Sequence, residues 1–340
     1  MTLEVLDVSF DDVRSLLRSG YGREGGSIRD VSGEVATVCR VEVAQQVLAV
    51  KVLAASGQDG LIFRWQTAAM DHLRNRGIPV PGVLVDADGE LLHASTVSGR
   101  PVLVQVSEWI QDPPLKDISD IDDDLLREVG GLVARVSVGL QDYELPPSEA
   151  THPWELRRSA QSIDESMPLL GPDSAKIAGE ALRRFEGLLV PLLPELPRSV
   201  VHHDLHDSNL LIGTTGDARR GVTGVLDFGD MVYGYRVAEL AVAGAYAARN
   251  VSDAPAALGE VVSGWTSVLP LTEAETRAVL PAAISRLAVN AAVWEARSNG
   301  TRAGYASTRM DGAHQALEQL LQVNNDDFAR NLAKRALAPR

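Results

Sequence analysis

VVHHDLHDSN, from Val200 to Asn209, places three histidines, two aspartates and an asparagine within eight residues, directly after two valines. Such a composition suits a metal site, a polar turn or a catalytic loop. His202 and His206 are four apart, the spacing that puts two ring nitrogens on one face of a zinc-binding helix. Yet Val200 and Val201 read as a strand, and Leu210-Leu211-Ile212 as another. A strand–loop–strand does not keep helical spacing, so the loop reading is preferred. His202 is expected to anchor it by hydrogen bonding. His203 and His206 read as solvated rings, and Asp207 and Ser208 as ordinary loop side chains. About 18 residues after Asn209 comes Leu226-Asp227-Phe228-Gly229-Asp230. The string H-x-D-x-x-x-x-N followed by D-F-G is a phosphoryl-transfer arrangement. Asp204 would face an acceptor hydroxyl and take its proton. The amide oxygen of Asn209 and the carboxylate of Asp227 are hard ligands of the kind Mg²⁺ prefers.

The chain has 340 residues, 45% of them hydrophobic, a soft prior of about two domains. Its formal net charge is −14, which argues against a phosphate-backbone partner, so no nucleic acid is expected. The acidity serves solubility or draws a cationic substrate to an acidic pocket. The single cysteine, Cys39, excludes an internal disulfide and reads as a small apolar filler in a strand. The N-terminus lacks the features of a secretory signal, and no apolar run spans a bilayer. A cytoplasmic protein without membrane partners is expected.

Two textures divide the chain. Residues 1–110 are read as a nucleotide-binding lobe and 111–340 as a helical catalytic and substrate lobe, with Asp112-Pro113-Pro114 as the breaker between them. VATVCRVEV and QQVLAVKVL form a hairpin around Ala44 to Gln46. A helix over Gln66 to Arg74 stops at Gly77. GVLVDADGELLH reads as two short strands around Asp88-Gly89. PVLVQVSEWI reads as a strand buried on both faces. Beyond it, Leu125, Val129, Leu132, Val133 and Val136 form a helical stripe, and so do Ala178, Ala181, Leu182, Phe185, Leu188 and Leu189. Residues 237–248, 256–268, 273–297 and 312–336 also read as helices, the last ending in a solvated segment. Only short strands at 199–203, 209–213 and 222–227 interrupt them. The fold class expected is α+β: a small antiparallel β lobe with one main helix, then a larger helical lobe. Upstream, Ala49-Val50-Lys51 lies in the strand before that main helix, where a lysine can bind α- and β-phosphates.

At these residues the chain resembles the aminoglycoside phosphotransferase and choline-kinase-like superfamily, whose fold is that of the protein kinases. VVHHDLHDSNLLI is similar to its catalytic loop, where glycine is common at the position of His203. GVLDFGDMVYGYRVAELAVAGAYA resembles the hydroxylysine-kinase and homoserine-kinase-like branch, as do QTAAMDHLRNRGIPVP and HPWEL at 152–156. The resemblance implies a kinase using Mg²⁺ and ATP or GTP on a small hydroxylated, often amine-bearing molecule. Carried over, Asp204 is the catalytic base, Asn209 and Asp227 are metal ligands, and Lys51 binds phosphate. The usual glutamate partner of that lysine is replaced by Gln66. Ser27 to Gly33 is the segment expected over the phosphates, though its glycines suit a flexible linker as well. Ser107 to Ile110, with Glu108, would be the hinge that meets the nucleotide base.

Between D-F-G and the next helix there is no room for a peptide-docking segment, which favours a compact acceptor. Asp230, Tyr233, Arg236 and Glu239 are candidates to line its pocket, or Arg236 and Glu239 pair with each other. Trp154, Trp294 and Tyr305 are wall or core. Three readings stand: a kinase for an amino alcohol or hydroxy amino acid, an antibiotic-modifying phosphotransferase, and a nucleotide-binding pseudokinase. Lys51, Asp204, Asn209 and Asp227 are all present, which disfavours the third.

Overall fold

The structure, a computed structural model, describes residues 6–31, 36–55, 57–148, 151–297 and 312–337. The chain divides into two compact units: Met1–Gln111 with Pro146–Glu149, and Asp112–Leu145 with Ala150–Arg340.

The first unit is built on an antiparallel sheet. Its strands are Ile28–Asp30 (β1), Thr37–Val43 (β2), Gln46–Ala54 (β3), His93–Val97 (β4) and Arg100–Glu108 (β5), in the order β1-β2-β3-β5-β4. The expected hairpin is there, with Ala44 at φ 52° in its turn. Side chains alternate across a strand. Leu48, Val50, Val52, Val102, Val104 and Val106 share one core with Val13, Leu16 and Leu17 of helix α1 (Phe10–Tyr21). Leu103 packs on the opposite face with Phe63 of α2 (Gly57–Asn75). Lys51, odd-numbered among the even-numbered valines, therefore stands on the α2 face.

Two features depart from the reading above. Helix α1 covers the second face of the sheet, which is why β5 is buried on both sides. It is nucleated locally by a capping box, in which Ser9 and Asp12 exchange hydrogen bonds with each other's backbone. Residues 83–92 do not form a hairpin. The Asp86 carboxylate accepts the N–H groups of Asp88 and Glu90, at 3.0 and 2.9 Å, and closes a compact loop instead. The strand that follows, β4, turns at Ser98-Gly99 into β5. Helix α2 begins nine residues before Gln66 and ends as expected, with Gly77 at φ 76°.

The second unit is mostly helical: α3 (Asp123–Leu140), α4 (Ser159–Ser166), α5 (Pro172–Arg184), α6 (Val237–Ala248), α7 (Ala254–Thr266) and α8 (Glu273–Arg297). Two further helices, Ala313–Leu321 and Asn325–Leu337, replace the single one expected over 312–336. The last is not merely solvated, since Phe328 and Leu332 are buried. The stripe on α5 breaks at a π turn over Phe185–Leu189. The wider turn shifts the helical phase and leaves Leu188 exposed. Two ribbons carry the loops of interest. Leu210–Thr214 (β7) pairs with Arg220–Val225 (β8), and Arg198–Val201 (β6) pairs with Val232–Tyr235 (β9). Strand β9 follows D-F-G directly and was not anticipated. Among the described residues no helix is long and apolar enough to cross a membrane.

Helices α3 and α7 cross at a pair of glycines. A Cβ on Gly130 would lie 1.9 Å from the Val261 carbonyl oxygen, and one on Gly264 would lie 1.9 Å from that of Arg127. Alanine is the better helix former by about 1 kcal/mol, but here backbone blocks it on both sides. Gly130→Ala and Gly264→Ala should each destabilise the fold by at least about 2 kcal/mol. Urea unfolding of either variant at wild-type stability would contradict the close crossing.

Candidate active site

The loop after β6 is shaped from below by one face of α6. Glu239 is fully buried, and its carboxylate accepts the N–H of His202 and, at 3.0 Å, the N–H of His203. Seven residues on, the ring of Tyr246 stacks on His206 at 5.1 Å. At the helix end Arg249 and Asn250 bind the carboxylate of Asp207, at 2.9 and 2.7 Å. Positions seven and eleven residues apart lie on one helix face, so a single face of α6 holds the loop at three points. His203 adopts φ 66°, a left-handed conformation that costs a non-glycine residue about 1–2 kcal/mol.

Asp204 is the half-buried carboxylate at the centre. Its Oδ1 accepts Nη2 of Arg286 at 2.9 Å, and its Oδ2 accepts Nδ2 of Asn209 at 2.8 Å. His206 Nε2 lies 3.4 Å from the same Oδ2. Burial opposes the charge of Asp204, but His206, Arg286 and His202 outweigh it and hold the carboxyl well below its ordinary range. Arg286 is nearly buried in the middle of α8. Its guanidinium lies 5.5 Å from the rings of both Trp154 and Tyr246, and Nη1 donates to the Trp154 carbonyl at 3.2 Å. Burial works against a charge on His206 too, yet Asp204 and Asp207 on either side raise its pKa. Asp207 is drawn down to about 2 despite its burial, by His206 and Arg249. Burial takes His202 down to about 4 and keeps His203 neutral, well below the ordinary histidine range.

Since Nδ2 of Asn209 faces Asp204, its Oδ1 is turned away from that carboxylate. The β7–β8 register and the Leu226 N–H to Asn209 O bond, 2.9 Å, bring Asn209 beside the segment that carries Asp227. Asp227 is exposed and sits at φ 57°, with Oδ1 accepting the Gly229 N–H at 3.3 Å. An amide oxygen and a carboxylate at adjacent strand ends fit a hard divalent cation. Among the described residues no three His, Cys, Asp or Glu side chains converge as a metal cluster. The zinc alternative finds no third ligand. His202 Nδ1 instead accepts the Asp204 N–H at 3.3 Å, inside the loop.

The remaining candidates fall in different places. In the first unit, Lys51 Nζ lies 5.9 Å from the Phe63 ring centroid, and Gln66 is buried one turn further along α2. Ser27 precedes strand β1, so a flexible linker does not describe it; its carbonyl accepts the Glu42 N–H at 2.9 Å. Gly33 lies outside the described residues. Glu108 is tied to Gly82 through both its N–H and its carboxylate, and the Trp109 N–H goes to Val47; Ile110 follows them. In the second unit, Asp230 stands near Asp204; burial, with the carboxylates of Asp204 and Asp227, raises its pKa against the opposing pull of His152 and Arg286. Tyr233 is on β9 under the guanidinium of Arg198, 4.5 Å away.

Three expectations are corrected. Glu239 lines no pocket, because its carboxylate is spent on two backbone N–H groups. Arg236 does not pair through its side chain with Glu239. Its Nε donates to Glu275, buried on α8, at 2.8 Å. His203 and His206 are buried rather than solvated, and the loop carboxylate of Asp207 is buried with them. Trp154 and Trp294 stack at 5.9 Å, while Tyr305 lies outside the described residues. Arg286 escaped the reading. Its one signal is a guanidinium in an otherwise apolar run, with Asn290 four residues on accepting Tyr246 Oη at 2.9 Å.

A model of the phosphotransferase enzyme family matches residues 32–279. The chain belongs to that family. It is similar to other phosphotransferase-family members at modest identity. The hydroxylysine kinase of Bos taurus is 30% identical over 234 residues, which are 65% of this chain and 62% of that protein. The Danio rerio hydroxylysine kinase is 27% identical over 65% of this chain and 64% of its own length. A homoserine kinase of Pseudomonas aeruginosa is 28% identical over 180 residues, 51% of this chain and 50% of that protein. The chain thus spans less than two thirds of these relatives. Among solved structures, a microcompartment-associated aminopropanol kinase has TM-score 0.66 at 16% identity, covering 97% of this chain and 99% of that one. An amicoumacin kinase in complex with AMP-PNP and Ca²⁺ has TM-score 0.68 at 14% identity, covering 94% and 97%. These likenesses establish the kinase-like α+β fold for this family member.

Burial pushes Glu239 from its ordinary 4.5 up to about 7, and the two N–H bonds only partly offset this. The folded chain therefore binds this proton more tightly than the unfolded chain. The resulting stability is intact below about pH 4.5 and is lost as pH rises through about 7, on the order of 3 kcal/mol. Asp207 acts in a separate window, losing its contribution as pH falls from 3.8 toward about 2. Glu239→Gln should flatten the stability profile between about pH 4.5 and 7. Urea unfolding across that range checks it, and equal slopes in variant and wild type would remove the assignment.

Proposed function

We propose that this chain is a kinase that moves the γ-phosphoryl group of a nucleoside triphosphate to the hydroxyl of a small, amine-bearing acceptor. An amino alcohol or hydroxy amino acid is the acceptor class the curated relatives favour. The observation that carries the reading is the arrangement at Asp204. One carboxylate oxygen is fixed by Arg286 and the other by the amide nitrogen of Asn209. The amide oxygen of Asn209 is then turned away from Asp204, and the Leu226 N–H to Asn209 O bond brings the segment of Asp227 alongside. In this reading one asparagine would link the base to the metal-binding pair.

Asp204 would orient the acceptor hydroxyl and accept its proton as the P–O bond forms. Held low in pKa, it acts mainly by orientation, in keeping with a loose transition state that needs little proton withdrawal. Asn209 and Asp227 would hold Mg²⁺, which neutralises phosphate charge when bound. Lys51 would bind the α- and β-phosphates, with Gln66 beside it as a neutral neighbour. Ser27 and Gly33 would cover the phosphates, and Glu108 to Ile110 would meet the base of ATP or GTP through backbone. Arg286 would keep Asp204 ionised and aimed. The antibiotic-modifying alternative rests on solved structures that share the fold alone, so the metabolic acceptor is preferred.

A coupled assay of nucleoside-diphosphate release tests this, with ATP and GTP over hydroxylated amines, amino acids and antibiotics. Asp204→Ala should lower kcat by about 10²–10⁴-fold with nucleotide affinity retained. Wild-type turnover in that variant would remove Asp204 from its role. Asp227→Ala should weaken nucleotide binding in magnesium buffer, and unchanged affinity there would contradict the ligand assignment. Arg286→Met should lower kcat by about tenfold or more, with little change in nucleotide KM. An effect confined to nucleotide KM would count against an aiming role.

A further inference from the structure

His203 is doubly disfavoured where it stands. Its backbone is left-handed, at φ 66°, which glycine would adopt without strain. Its imidazole is 1% exposed, yet neither Nδ1 nor Nε2 has a hydrogen-bond partner among the described residues. A buried polar ring without partners calls for an explanation, and so does a strained backbone beside a reacting group. His152 repeats the pattern in part. Its ring meets that of His203 edge-on at 5.1 Å, and its Nδ1 is also buried and unpartnered. Its other nitrogen lies 3.1 Å from the Asp230 carbonyl oxygen. Three unpartnered nitrogens thus lie on two packed rings; one ring, His152, reaches the Asp230 backbone, and the other, His203, is one residue before Asp204.

We propose that His203 and His152, with the carboxylate of Asp230, form the subsite that binds the ammonium group of the acceptor. The inference rests on the kinase reading above and assigns a part of that site. An ammonium suits the surroundings better than an anion. The carboxylates of Asp204 and Asp227 lie near Asp230, so three acidic groups gather beside these rings, with Arg286 opposing them. The guanidinium of Arg286 already holds Asp204 at 2.9 Å. Imidazole lone pairs accept N–H groups, and Asp230 supplies the opposite charge. A group held at His203 is held next to Asp204 in the chain, which keeps the acceptor hydroxyl beside the carboxylate.

The test is steady-state kinetics with MgATP on aminopropanol, homoserine and hydroxylysine, and on the matched amine-free alcohols. His203→Gly and His203→Asn both suit a left-handed backbone, and His152→Phe keeps a ring without its nitrogens. Each should raise acceptor KM by about tenfold or more and erode the preference for the amine by a similar factor, with nucleotide Kd unchanged. If the His203 variants do not fold, His152→Phe decides alone. Folded variants with wild-type acceptor KM and amine preference would overturn the subsite and leave the imidazoles as holders of ordered water only. In that case the kinase reading stands. A wild-type chain that phosphorylates none of the acceptors sinks that reading and the subsite together.

Discussion

The loop that carries Asp204 depends on one buried carboxylate. Glu239 accepts the N–H groups of His202 and His203, two donors that the left-handed turn at His203 would otherwise leave without partners. An unsatisfied buried N–H costs about 1–3 kcal/mol, comparable with the strain of the turn itself. Without Glu239 the backbone would relax toward an ordinary conformation, and Asp204 would point elsewhere. The charge of Asp204 is thus aimed by a residue that never meets a substrate.

The site gathers more buried charge than a helical core usually tolerates. Each charge is answered locally. Asp204 has Arg286, Asp207 has Arg249 and Asn250, and His206 lies between the two aspartates. Tyr246 presents its ring to both arginines and to His206. Such pairs seldom add net stability over apolar packing, because desolvation consumes most of the Coulomb attraction. Their retention here is understood as orientation. A carboxylate bonded at both oxygens is held against rotation, as the proposed in-line transfer would need.

Much of the first unit was legible because its signals are local. Lys51 was legible in the strand before the main helix, and Gly77 at that helix's end. The strand–loop–strand reading of residues 199–213 and the order of Asp204, Asn209 and Asp227 were also open to inspection. What stayed hidden depends on distant chain. Helix α1 has a local capping box but a short apolar stripe, and its purpose emerges only with the second face of the sheet. Strand β9 is four residues long and is fixed by pairing with β6. Glu239 looked like a pocket carboxylate because sequence spacing cannot tell a buried acceptor from an exposed one. Arg236 found Glu275, 39 residues away, rather than its near neighbour. Arg286 lies 82 residues from Asp204, and nothing short of the fold links them.

The three-point grip of α6 on the loop has a consequence for how the reaction proceeds. From Glu239 to its last residue, Ala248, the helix rises about 14 Å, and Arg249 and Asn250 follow at its end. The loop is held along that length. Its dipoles and its carboxylate are therefore held in place by the fold itself; for the kinase proposed above, little reorganisation would remain at the moment of transfer, and binding free energy from the acceptor would be left for choosing among molecules.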